Sequence, residues 1–242
     1  MIGTGTVINV VAVLVGGTLG TLLGTRLPER MRETIMHGLG LLTIVIGVQL
    51  SFQTENVLIV LGSLLVGGII GELLRIEDYI NRAGRWIERK TTRNSGAAAQ
   101  PLDTAHPGTT RFSRAFLTAS LVFCVGPMAI IGSFNDGMKG DYAILAVKSA
   151  LDFFAALAFA STMGPGVIAA ALSVGVYQGA LTLGAGWASG ILSDPLIAEM
   201  TATGGVLMLA IGLALLELKQ IRTGNLLPAL LVAPLIAALV KK

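Results

Sequence analysis

Eight apolar runs, each close to the length that crosses a bilayer, divide this chain. They cover residues 4–25, 34–52, 56–74, 116–134, 142–162, 165–189, 200–218 and 225–240. A helix rises about 1.5 Å per residue and a hydrocarbon core is about 30 Å thick, so roughly twenty apolar residues suffice. In hydrocarbon only helices and closed barrels satisfy every backbone polar group. The reading is an all-α polytopic transmembrane bundle, one membrane domain over residues 1–242. Spans one to three fill 4–74, a polar segment fills 76–114, spans four and five lie within 115–162, and spans six to eight fill 165–240.

Composition agrees. Of 242 residues 53% are hydrophobic and 13% charged, and the mean hydropathy is +0.78. A soluble domain of this size cannot hide so much apolar surface. The 31 glycines suit closely packed membrane helices. The first run holds no Lys or Arg before Arg26, which argues for a mature span over a signal peptide. The single cysteine, Cys124, lies in an apolar run and excludes a disulfide framework.

Charge sets an expected orientation. With the amino terminus outside, the inner loops carry 13 basic residues and the outer segments only Lys139, Lys241 and Lys242. That positive-inside pattern places both termini on the outer side. Residues 76–91 align Ile76, Ile80, Ala83 and Ile87 on one stripe and read as an amphipathic helix on the cytoplasmic leaflet. A flexible linker follows over residues 94–108, with His106 solvated.

The two ends of the chain resemble each other. Adding 165 to Gly40 and Gly47 gives Gly205 and Gly212, and the flanking residues match in kind. Spans one to three and six to eight are separated by two spans, so the units would cross in opposite directions. Inverted repeats of this sort underlie many secondary transporters. Gly16, Gly20 and Gly24, and also Gly67 and Gly71, line single helix faces that serve tight packing or a sliding surface.

Lys148 and Asp152 stand out within the fifth span. Their i, i+4 spacing puts both on one helix face, where they can touch. An ionised side chain at the bilayer centre costs about 2.5–3.5 kcal/mol even on insertion scales. Such a pair faces protein, water or a partner, and it marks a functional site or a structural ion pair. Ser149 lies beside it. Asn9 in the first span and Tyr177 and Gln178 in the sixth also need partners in hydrocarbon. Gly126-Pro127 predicts a kink in the fourth span. Residues 132–141 read as a connection whose Ser133, Asn135, Asp136 and Asp141 offer a cation entrance or weak hard-cation site, or an outer turn capped by Asp141. Glu72, near the end of its span, snorkels.

Gly132–Asp141, Lys148-Ser149-Ala150-Leu151-Asp152, Tyr177-Gln178-Gly179 and Asn225-Leu226-Leu227-Pro228 are similar to the YqgA/YdfK-type bacterial membrane proteins, a family of unknown function. The likeness spans nearly the whole chain, including Gly3–Asn9 and Gly16–Gly20. Phe153 stands where the family favours glycine, and Phe134-Asn135 where Ile-Gln or Ile-Glu is commoner. The resemblance implies a bacterial inner-membrane protein and, at most, a sodium channel or pump. It implies no established substrate.

These readings converge on a small secondary transporter or channel for a cation, sodium- or proton-coupled, or for a small solute. Lys148 and Asp152 are its centre, with Ser149, Asn9, Tyr177, Gln178, Asn135, Asp136 and Asp141 as ion-binding candidates. The alternative is a structural or regulatory protein that recruits a partner through the cytoplasmic helix. An enzyme is not expected: there is no HExxH zinc pair, and Gly132-Ser133 is no GxSxG elbow. No catalytic residue, cofactor, bound metal or nucleic acid is expected. The bilayer and a small cation or solute are the expected partners, and the glycine-lined faces suggest a homo-oligomer, a dimer first.

Overall fold

The computed structural model describes residues 2–82, 111–188 and 193–240, and the described residues are helical with no strand. The helices are α1 (Thr4–Gly24), α2 (Glu29–Ser51), α3 (Val57–Leu74), α4 (Arg111–Cys124), α5 (Pro127–Lys139) and α6 (Ala143–Met163). α7 (Gly166–Leu183), α8 (Ala185–Ala188), α9 (Asp194–Leu215), α10 (Thr223–Leu226) and α11 (Ala229–Val240) complete them. Residues 76–82 are also helical. The rest of the expected amphipathic helix, the linker and His106 lie outside the described residues. Seven helical stretches are long and apolar enough to cross a membrane, and the bent pair α4–α5 makes an eighth if taken as one span. The bundle is that of a multi-pass membrane protein. Its surface displays Leu19, Leu22, Leu65, Leu151, Phe154 and Leu235, an outward apolar belt that water would penalise and lipid does not.

Glycine decides which helices touch. A Cβ built on Gly16, Gly20 or Gly24 would lie 2.3–2.4 Å from the carbonyl oxygens of Phe153, Leu157 and Ser161. The residues pair in the same order, so α1 and α6 run parallel with their backbones in near contact. α2 crosses α9 in the same intimate way but antiparallel: a Cβ on Gly47 would lie 2.8 Å from the Gly205 oxygen, and one on Gly212 would lie 3.1 Å from the Gly40 oxygen. Gly67 and Gly71 of α3 admit Ala229 and Asn225. All these stripes are consumed inside one chain. They therefore carry no argument for self-association.

Three boundaries differ from the sequence reading in instructive ways. Gly126 adopts φ +139°, Pro127 opens α5, and the fourth span breaks into two helices bent by 62°. Proline lacks the donor that would have continued α4. Residues 132–139 are then helix, not a connection, because nothing after Pro127 interrupts the backbone ladder until Gly140, at φ +67°. The eighth span likewise pauses at Pro228, between α10 and α11.

For reference, the terminal face is where α1 begins and α11 ends; the basic face is opposite. On the basic face, arginines cap helix carbonyls: Arg111 donates to Thr162 O at 2.5 Å, Arg32 to Ser161 O at 3.4 Å and Arg114 to Ala214 O. Cations at helix C-termini oppose the negative end of the dipole. Glu72 does not merely snorkel, since its oxygens accept from Arg222 at 2.9 Å and Asn225 at 2.6 Å.

If the α1–α6 contact organises the bundle, Gly20→Val should destabilise it by about 1–3 kcal/mol or more through overpacking. Gly179→Ala, where a Cβ meets nothing within 4 Å, should be close to neutral. Thermal melts of the two purified variants in detergent check this.

Candidate functional site: a buried polar cluster between three helices

Three helices bring four polar side chains together. Lys148 and Asp152 lie one turn apart on α6, Asn9 lies five residues into α1, and Gln178 lies on α7. All are buried: Asn9 and Gln178 are 0% exposed, Lys148 6% and Asp152 7%. The Lys148 ammonium donates to Asp152 Oδ2. The same oxygen accepts the Asn9 amide at 2.9 Å, and Asn9 Nδ2 also donates to Gln178 Oε1 at 3.2 Å.

A carboxylate only accepts, so Asn9 must turn its nitrogen to Asp152. That choice fixes the rest of the chain. With both Asn9 hydrogens used, Gln178 must present its oxygen, and its NH2 faces away. Asn9 Oδ1 and Gln178 Nε2 are left as a buried acceptor and a buried donor without partners. One such orphan costs about 1–3 kcal/mol.

One turn nearer the terminal face, Thr6 Oγ1 and Thr182 Oγ1 lie 3.2 Å apart. Asp136, 0% exposed, accepts the Gly5 amide at 3.0 Å through Oδ2, while Oδ1 has no partner. Gly5 is in the first turn of α1, so this carboxylate sits on the positive end of a helix. Polar groups thus follow one face of α1 from its first turn to the ion pair.

Other candidates go elsewhere. Asp141 is exposed and stands one residue before Tyr142, the N-cap of α6; its Oδ1 accepts the Ala143 amide at 3.0 Å. Asn135 is half-buried and accepts the Asp141 amide on its carbonyl at 3.3 Å. Because residues 132–139 are helical, Ser133, Asn135, Asp136 and Asp141 do not converge on one point. Ser133 and Ser149 turn back onto their own helices, donating to Ala129 O and Leu145 O. Tyr177 packs with Ile130 and Met200, away from Gln178, since adjacent helical residues diverge by about 100°. Among the described residues no three His, Cys, Asp or Glu side chains could hold a metal ion.

Sequence reasoning missed Glu199. Wholly buried on α9, it accepts Thr54 Oγ1 at 2.6 Å and the Glu55 and Asn56 amides at 2.9 and 3.2 Å, at the start of α3. An acid within the 22-residue α9, beyond the Asp194 of its first turn, was its signal. Thr6 and Thr182 left no such trace, because threonine is ordinary in membrane helices.

Two cavities flank the cluster without reaching it. One, of about 470 Å³, opens among Glu29, Arg32, Glu33, Arg111 and Arg114 at the basic face. The other, of about 400 Å³, lies at the α4–α5 break. Neither is lined by Lys148 or Asp152. The ion pair is buried.

Residues 4–238 match the model of a family described as a protein of unknown function (DUF554). The chain belongs to this family. It is similar to the uncharacterized protein YqgA of Escherichia coli (strain K12), 36% identical over 97% of this chain and 96% of that one. It is also similar to the uncharacterized membrane protein YdfK of Bacillus subtilis (strain 168), 28% identical over 96% of this chain and 94% of that one. No solved structure matches the chain.

Removing one charge of the pair strands the other. Lys148→Met should cost about 3–5 kcal/mol, and the double variant Lys148→Met/Asp152→Leu should recover most of it. Denaturation of both variants in matched micelles measures the difference; equal losses would mean that the charges do not compensate each other.

Proposed function

We propose that this protein is a small transporter or channel that moves a cation or small polar solute past the Asn9–Asp152–Lys148–Gln178 cluster. The observation that carries the reading is the pair of unused amide atoms, Asn9 Oδ1 and Gln178 Nε2, beside a buried ion pair. A cluster built only to pin helices gains nothing by burying a free acceptor and a free donor. A passing polar species would use both. Asp152 supplies the negative charge for a cation or proton, and Lys148 competes for it as an internal counter-charge.

The packing supports an inverted repeat. α1, α2 and α3 each lie antiparallel against their counterparts, α7, α9 and α11. Thr6 and Asn9 meet Thr182 and Gln178, Gly40 and Gly47 meet Gly212 and Gly205, and Gly62 and Gly67 meet Ile236 and Ala229. α1 also lies parallel to α6, as α7 does to α4 through Phe112–Gly166 and Ser120–Ser173. Elements related this way exchange inward and outward openings when one half rocks on the other. In this reading the basic face is cytoplasmic, both termini are external, the membrane is the bacterial inner membrane and the protein catalyses no reaction.

Burial of the ion pair favours a second reading, a structural pin between α1, α6 and α7. Flux separates the two. Proteoliposomes holding the wild type should pass radioactive sodium, or protons followed by a pH dye, and Asp152→Asn should abolish that flux while the protein still elutes as a folded species. Flux that survives Asp152→Asn unchanged would leave the cluster a purely structural role.

A further inference from the structure

The cavity at the α4–α5 break lies on the far side of α7 from the polar cluster. Its volume is about 400 Å³, within the range of small-molecule sites. Phe116 and Leu121 of α4, Ile130 of α5, and Leu227 and Leu231 make it largely apolar. It extends from Ile80 and Phe116, near the basic face, to Gly126 and Thr201 toward mid-depth. Phe116 to Cys124 alone is about 12 Å of helix.

The polar atoms that the described residues bring to its wall are uncharged. Ser120 and Ser173 are already joined at 2.9 Å. Tyr177 and Cys124 add a phenol and a thiol. Thr201 is different: it is 1% exposed and its hydroxyl has no partner. A buried, unpartnered hydroxyl in the wall of a largely apolar slot asks for an acceptor, and hydrocarbon offers none.

We infer that this cavity binds an uncharged, largely apolar molecule from the bilayer whose carbonyl oxygen accepts the Thr201 hydroxyl. Among the described residues the lining carries no ionised side chain to pair with a charged ligand. The elongated shape suits a chain or a tailed ring. Fatty-acyl esters and quinones share this chemistry. Bound at the break, such a molecule would wedge the bend between α4 and α5, the two pieces of one span.

Photocrosslinking in proteoliposomes of the full chain tests this with two probes, a phosphatidylglycerol carrying a diazirine in its acyl chain and an azido-quinone. One of the two should label peptides containing Cys124 or Thr201, and excess unlabelled compound of the same kind should compete. Capture of the lipid names an acyl ester; capture of the quinone names a quinone. Thr201→Val keeps the volume and should lower that specific capture about two- to tenfold, the worth of one net hydrogen bond. Ser63→Ala, which removes a hydroxyl bonded to its own helix at Ile59 O, should not. Labelling by both probes that spreads over lipid-facing positions such as Leu73 and Leu183, without competition, would overturn the assignment, as would capture indifferent to Thr201→Val.

Discussion

Asp152 shares one carboxylate oxygen between the Lys148 ammonium on its own helix and the Asn9 amide of α1. Most of the arrangement around it follows. Burying an unpaired carboxylate costs several kcal/mol, so the acid must be met by donors wherever the helices place it. Lys148 comes with the sequence, one turn earlier. Asn9 can arrive only if α1 lies almost backbone to backbone with α6. Gly16, Gly20 and Gly24 permit that approach, since any side chain there would collide with a carbonyl of α6. The glycines and the polar cluster are thus two parts of one device, packing at one end of the α1–α6 contact and hydrogen bonding at the other.

The same rule operates at the terminal face. Asp136 finds the Gly5 amide at the start of α1, and Glu199 finds the Glu55 and Asn56 amides at the start of α3. Helix N-termini carry unsatisfied donors and a partial positive charge. A carboxylate from a neighbouring helix satisfies both sides at once. Asp152 differs from them: it lies inside the span rather than at a helix start, its neighbours Asn9 and Gln178 carry unused atoms, and its counter-charge is a side chain.

Much of the fold was legible in the sequence because a bilayer imposes a single length. The first, third and fifth runs fall within a residue or two of α1, α3 and α6. The second and seventh began late, at 34 and 200, because Glu29–Glu33 and Asp194–Glu199 put charge on helical turns that hydropathy reads as loop. The Lys148–Asp152 contact follows from spacing alone, and Asn9 and Gln178 could be nominated as polar residues in apolar runs. Their wiring could not. It needs helix rotation, which sets Gln178 toward α1 and Tyr177 away from it. Residues 132–139 were misread for a related reason: glycine, asparagine and aspartate suggest a turn, yet α5 continues to Lys139, with Gly137 pressed against Thr182 O and Gly132 against Leu145. Packing chose the helix over the local preference.

A path through the cluster requires that water reach it in some state of the protein, although the pair is buried in the state described. Cysteine accessibility measures this directly. With Cys124→Ser as background, Gln178→Cys places one thiol at the end of the hydrogen-bonded chain. In sealed proteoliposomes under an imposed ion gradient, that thiol should react with a small charged methanethiosulfonate, faster than a cysteine at Val174, which is 0% exposed among the core side chains of the same helix. Equal and negligible reaction at both positions, from either face and with or without the gradient, would contradict the account.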